Sequence, residues 1–226
     1  MNDSDFVELC KKGTLQQIND AIKNGANVNA KRDDGAIPLS IAVHNKNLEA
    51  ITALLDAGAD VNAKDRNGVT ALMDAVMSKF PEAVSILLNA GANVNIGVIT
   101  PLALAAKHNH NLEVITALIN GGADVNARSD DSWTPLLFAA QHHLNPEVIT
   151  ALIKAGANVN AMDNDGITPL MRSTVFNSNP EVVTALINGG ADLNAKNNKG
   201  HTALALAEAT NRMRVKSKIG RSIFEK

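Results

Sequence analysis

The chain has 226 residues and a formal net charge of −2, and 45% of its residues are hydrophobic, 3% aromatic and 19% charged. A charge so close to zero disfavours a nucleic-acid-binding domain, which is usually strongly basic. The single cysteine, Cys10, excludes an internal disulfide, and no apolar run approaches the roughly 18 residues of a membrane-spanning helix.

The N-terminal segment, residues 1–31, contains the first two predicted helices. Its apolar residues between Phe6 and Gly25 are spaced as in two short helices that each bury one face, and no loop precedes them. We expect this pair to cap one end of the fold. The early acidic residues do not suit a secretory signal, so we expect a cytoplasmic protein. A signal already removed from a longer precursor stays open as an alternative.

Six near-copies of one hexapeptide mark the chain at regular intervals. They read GANVNA, GADVNA, GANVNI, GADVNA, GANVNA and GADLNA, and they begin at Gly25, Gly58, Gly91, Gly122, Gly156 and Gly190. Successive copies lie 31 to 34 residues apart, a period typical of one supersecondary unit stacked on its copies. We expect each glycine to end a helix in the left-handed conformation. The Val or Leu three positions later should hold the following loop against the stack.

Five interior units are predicted to contain two short helices each: residues 32–64, 65–97, 98–128, 129–162 and 163–196. The first helix follows a Thr-Pro-Leu or Thr-Ala-Leu motif, as at Thr134. There the hydroxyl can cap a free N–H group and Pro suits the first helical position. The second helix has an apolar face, as in EVITALI, and an Asn such as Asn145 precedes it as a cap. Residues 197–226 begin as a further unit and then turn basic, which suits a C-terminal cap.

Two irregularities interrupt the period. The loop from Asn95 to Thr100 is about three residues shorter than the loop from Asn62 to Thr70. Three consecutive units carry one extra residue between their helices, in KHNHNLEV, QHHLNPEV and VFNSNPEV. We expect the three longer turns to share one local conformation.

The segments DRNGVTALMDA, residues 65–75, and PEVITALIKAGANVNA, residues 146–161, resemble the ankyrin repeat. The resemblance covers nearly the whole chain in six in-register copies. It implies an all-α solenoid of stacked antiparallel helix pairs joined by β-hairpin-like loops, with two caps and five interior repeats, about seven units in all. We expect a single domain over residues 1–226 that is a monomer. The histidine that the family usually carries after Thr-Pro-Leu is absent from every copy.

The resemblance also implies a concave face, formed by loops and first helices, that binds a protein partner. The candidate residues on that face are Asp33, Asp34, His44, Arg66, Asn67, Met77, Ile99, Lys107, Asp130, Asp131, Trp133, Gln141, Asn164, Asp165, Ile167, Val175 and Phe176. Trp133 is expected near the centre because Trp is enriched at interface hot spots. The alternative for Trp133 is local packing on the neighbouring loop. The loop-tip acids could select a basic partner, or they could be present because Asp favours turns.

Four histidines suggest a second function from a different class. His108, His110, His142 and His143 fall in adjacent units, where a zinc site would need three or four ligands. No cysteine is near, so we predict no metal and keep a metal- or small-ligand-binding accessory protein as the alternative. A third and weaker interpretation is nucleic-acid binding by the basic C-terminal run. We predict no enzyme activity, cofactor, nucleic-acid partner or membrane partner, because no catalytic or phosphate-binding motif occurs.

Overall fold

The structure, a computed structural model, describes residues 1–108, 111–142 and 145–210. Those residues form thirteen helices and no strand, with one isolated antiparallel bridge between Lys64 and Thr70. The all-α prediction is therefore confirmed. The chain divides into two compact units, Met1–Gly97 and Val98–Lys226, which we call the first and second units. The predicted single domain over residues 1–226 stays a prediction.

The first unit contains three helix pairs. First helices pack on first helices and second helices on second helices, so each pair covers the apolar face of its neighbour. Buried residues such as Val7, Ala42 and Leu54 fill the space between the two rows. The helices are α1 (Asp3–Lys12), α2 (Leu15–Lys23), α3 (Pro38–His44), α4 (Leu48–Asp56), α5 (Ala71–Met77) and α6 (Pro81–Asn89).

The second unit repeats this arrangement with seven helices in its described part. The first helices α7, α9, α11 and α13 form one row, and α8, α10 and α12 form the other. Their bounds are α7 (Pro101–His108), α8 (Leu112–Asn120), α9 (Pro135–His142), α10 (Pro146–Lys154), α11 (Pro169–Phe176), α12 (Pro180–Asn188) and α13 (Ala203–Ala209). The basic part of the predicted C-terminal cap, residues 211–226, lies outside the described residues, so the count of about seven units stays a prediction.

Local side-chain chemistry explains where the helices begin and end. The hydroxyl of Thr134 accepts the N–H of Leu137, and the amide oxygen of Asn145 accepts that of Glu147, so both predicted caps are confirmed. At the other end of α10, Gly156 adopts φ 94°. Its N–H bonds to the Ile153 carbonyl, which is the expected glycine helix stop.

The second Asn of the hexapeptide joins consecutive copies. The Oδ1 of Asn160 accepts the backbone N–H of Asp192 at 2.8 Å, and its Nδ2 donates to the carbonyl of Gly190 at 3.3 Å. The same two bonds recur at Asn29, Asn62 and Asn126. The loops are therefore held by a polar bridge as well as by the predicted apolar residue.

The connecting loops are tight turns. In the loop before α11, the N–H of Asp163 bonds to the carbonyl of Ile167 at 3.2 Å, and the loop before α5 closes in the same way at Asp65. Of the three longer inter-helix turns, the last is described throughout, and there Asn177 is buried and donates to the carbonyl of Ala140 at 2.9 Å. Residues 109–110 and 143–144 lie outside the described residues, so a shared conformation of the three turns stays a prediction.

Candidate functional site

Three of the few aromatic residues lie in one row of the second unit. The rings of Trp133 and Phe138 are 4.8 Å apart between centroids and tilted by 43°. The guanidinium carbon of Arg172 lies 4.1 Å from the Trp133 centroid and 5.7 Å from that of Phe176. The ammonium of Lys107 lies 5.8 Å from the Phe138 centroid. We call these five residues the aromatic–cation row, in which cations and rings attract each other.

A buried acid fixes the centre of this row. The side chain of Asp163 is 2% exposed, and its carboxylate accepts the N–H groups of Asp165 at 3.0 Å and Ile167 at 2.9 Å. The same carboxylate pairs with the guanidinium of Arg172. A buried charge is costly unless an opposite charge and hydrogen bonds accompany it, so these contacts hold Arg172 in one position over Trp133.

Two grooves border the row. The first, of about 440 Å³, is lined by Ile99, Trp133 and Phe138, with Val98 at its edge and 60% exposed. The second, of about 400 Å³, is lined by residues that include Ile167, Val175, Phe176 and Leu206. Phe176 is 52% exposed, so both grooves offer apolar surface to a partner.

Hydrogen bonds between neighbouring loops hold the loop tips of the second unit. Asn164 donates to the carbonyl of Asp130 at 3.5 Å, and Asn198 donates to that of Asn164 at 3.0 Å. Asp130 and the residue after it, Asp131, are both exposed. Neither carboxylate has an ion pair or hydrogen bond within the described part of the chain. Hydrogen bonds therefore hold the backbone of the loop tips in place, while the carboxylates of Asp130 and Asp131 stay unpaired among the described residues.

A family model described as ankyrin repeats, in three copies, matches residues 6–98, 97–163 and 139–215. The chain belongs to the ankyrin repeat family. Among solved structures, the ankyrin repeat domain of human ASB11 resembles this chain with a TM-score of 0.80 and 27% identity, over 92% of this chain and 96% of that one. No curated protein gives a significant match. Ankyrin repeats are generally protein–protein interaction modules and are typically non-enzymatic.

The sequence-predicted residues divide between the two units of this ankyrin repeat protein. The first groove is lined by six of them: Ile99, Lys107, Asp130, Asp131, Trp133 and Gln141. The second groove is lined by four: Asp165, Ile167, Val175 and Phe176. One more, Asn164, lies at a loop tip. The other six, Asp33, Asp34, His44, Arg66, Asn67 and Met77, belong to the first unit and line neither groove.

Several first-unit candidates already have partners within the chain, and Asp34 and His44 are ionisable examples. Asp34 is held by the guanidinium of Arg32, which keeps the pKa of that carboxyl well below its usual range. The imidazole of His44 lies 3.9 Å from the carboxylate of Asp74, a buried acid in α5. Burial raises the pKa of Asp74 above its ordinary value.

Sequence reasoning missed Phe138, Arg172 and Asp163. Phe138 lies within an Ala-rich helix, and Asp163 is one of the loop-tip acids for which a basic partner and a role in the turn both stayed open. One signal could have identified the first two: Phe138 and Arg172 each lie four residues after a capping Thr, so they hold the same place on consecutive first helices.

The alternative site gains no support. Across residues 1–108, 111–142 and 145–210, no three His, Cys, Asp or Glu side chains group in a way that could hold a metal. His108 and His142 are described, but His110, His143 and the basic C-terminal run fall outside the described residues. Burial raises the pKa of the Cys10 thiol to about 12, which makes it a poor nucleophile. Within the described residues, no helix is long and apolar enough to cross a membrane.

Proposed function

We propose that this protein is a non-enzymatic scaffold that binds a protein partner through the aromatic–cation row and the two grooves of its second unit. The observation that carries the proposal is the fixed position of Trp133, in contact with both the ring of Phe138 and the guanidinium of Arg172, at the edge of an open groove. A side chain ordered before binding loses little conformational entropy when a partner covers it. Trp and Arg are also the residues most enriched at interface hot spots.

The first-unit candidates are not part of the proposed binding surface. The acid at Asp34 is neutralised by Arg32, and exposed side chains such as Met77 line neither groove. We propose that the protein acts as a monomer in the cytoplasm. Its one cysteine is free and buried, which suits a reducing compartment.

Affinity capture from the native cell lysate tests the binding surface. The baits are the wild type, a Trp133→Ala/Phe176→Ala variant and a Met162→Ala control, each shown by circular dichroism to be folded. Met162 is also exposed and apolar, at 39%, but it lines neither groove. We expect one protein that the wild type and the control capture and the double variant loses. Equal capture by all three baits would exclude this surface.

A further inference from the structure

The first groove has an apolar floor, and its rim carries two carboxylates that make no ion pair with a described residue. Ile99, Trp133 and Phe138 line it, and so do the exposed acids Asp130 and Asp131. A partner's apolar side chain would gain by covering the floor, because exposed apolar surface is costly in water. The two carboxylates would then be left close to the covered site, where a positive partner group is favoured.

The cations near this rim are already engaged. Arg172 is paired with Asp163, and Lys107 lies over the ring of Phe138. Arg128 donates to the carbonyl oxygens of Ser132 at 3.2 Å and Met162 at 2.9 Å, and it makes no ion pair with another described residue. Across the residues that the structure describes, neither Arg128 nor Lys107 pairs with Asp130 or Asp131, so both carboxylates keep unpaired acceptor oxygens, and complementarity calls for a cationic side chain from the partner.

The second groove sets the spacing of the partner's side chains. The first groove is lined from α7 and α9 and the second from α11 and α13, and α9 and α11, at their facing edges, pack directly on each other. Packed helices lie about 8–10 Å apart. An extended chain rises about 3.3 Å per residue, so about three residues of it would span from one facing edge to the other.

From these observations we infer that the second unit binds an extended segment of its protein partner with a defined pattern. The segment carries a large apolar side chain next to a Lys or Arg, and a second apolar side chain about three residues away. The first apolar side chain fills the groove beside Trp133 and its basic neighbour pairs with Asp130 and Asp131. The second apolar side chain covers Phe176. This inference rests on the proposed function and adds the chemistry of the partner.

Selection from a displayed library of random 12-residue peptides, about four times the span between the grooves, tests the pattern. The immobilised full chain is used as wild type, as Asp130→Asn/Asp131→Asn, and as Asp33→Asn. Asp33 holds the loop position in the first unit that corresponds to Asp130, and it too is exposed, so it is the matched control. Circular dichroism confirms the fold of each variant.

We expect the wild type and Asp33→Asn to select peptides with the apolar and basic pattern. The double variant should keep the apolar preference and lose the basic one. A synthetic peptide of the selected pattern should bind the double variant about five-fold more weakly, as expected for the loss of two exposed ion pairs. Peptides without basic enrichment, peptides with acidic enrichment, or no selected peptide would each overturn the inference. Self-association of the chain in place of peptide binding would overturn it as well.

The two proposals fail in distinguishable ways. If the Trp133→Ala/Phe176→Ala variant loses a lysate protein but Asp130→Asn/Asp131→Asn retains it at full affinity, the binding surface stands and the partner chemistry is wrong. If lysate capture is independent of Trp133 and Phe176 and the selected peptides bind all variants equally, both are wrong.

Discussion

At the scale of single residues, Asp163 links the loop to the candidate binding row. Its carboxylate accepts two backbone N–H groups and pairs with Arg172, whose guanidinium covers Trp133. One side chain therefore sets both the turn and the position of the cation. A neutral replacement would keep an acceptor for the turn but leave the guanidinium without its counter-charge.

We predict that Asp163→Asn lowers the free energy of unfolding by about 2 kcal/mol, because Arg172 stays largely buried and loses its ion pair. Urea unfolding followed by circular dichroism measures the change. Asp165→Asn is the control, since this exposed acid two residues along the loop makes no ion pair with a described residue, and its effect should stay within about 0.5 kcal/mol. Equal stability of the two variants would contradict the role given to Asp163.

Much at this scale could be predicted from the sequence, but only where the chemistry is local. The role of Asp163 in its turn is of this kind, because its side chain bonds to N–H groups only two and four residues away. Its pairing with Arg172 and the contact of Arg172 with Trp133 join different repeats or different parts of one repeat. Such contacts depend on how the helices pack, which the spacing of residues does not fix.

At the scale of helices and loops, the hexapeptide that repeats through the chain contains two different polar functions. Its third residue closes a local turn, as where Asp192 accepts the N–H of Asn194 at 2.8 Å. Its fifth residue bridges to the next copy, as Asn160 does to Asp192 and Gly190. The recurrence of the motif predicted that it matters to the stack, but not that an amide would make the bridge.

The contribution of the bridge to the free energy of unfolding can be measured by comparing two copies of the motif. We predict that Asn160→Ala lowers the free energy of unfolding by about 1–2 kcal/mol, since two hydrogen bonds between loops are lost. Asn194 is the same residue of the last copy, and its side chain makes no hydrogen bond to any described residue. Asn194→Ala should therefore cost less than about 0.5 kcal/mol in the same urea titration. A cost as large as that of Asn160→Ala would show that the amide acts within its own loop.

At the scale of the whole molecule, the period and the caps predicted helix positions well because each repeat applies the same local rules. The division into two units was not predicted. It falls at Gly97 and Val98, inside the loop that is shorter than the others. The candidate site was predicted in part: the loop tips and Trp133 were identified from the resemblance, whereas Phe138 was hidden in an apolar stretch that fits a core equally well.

The stability of the chain should depend on pH through Asp74. Because burial raises its pKa, the folded protein holds this proton more tightly than the unfolded chain does. The stability that the protonated group contributes is present below the ordinary aspartate pKa and is lost as pH rises through the raised pKa. We therefore predict that Asp74→Asn, which stays neutral, gains stability relative to the wild type as pH rises.

Unfolding free energies of both proteins between about pH 4 and pH 7 test this dependence. Asp34 contributes in the opposite sense, because Arg32 lowers its pKa and its stabilising effect is lost in acid. That contribution is common to both proteins and cancels in their difference. A difference between variant and wild type that does not change with pH would show that burial of Asp74 does not favour its protonated form.

The place of Trp133 has an optical consequence. The chain has one tryptophan and no tyrosine, so ultraviolet emission excited at the long-wavelength edge comes from a single indole. That indole lines the first groove and contacts both Phe138 and Arg172. Any molecule that displaces water from the groove should shift this emission toward the blue. The first unit contains no Trp or Tyr, so it contributes no fluorescence at this excitation wavelength. The protein thus carries a label-free reporter at the surface where a partner is proposed to bind.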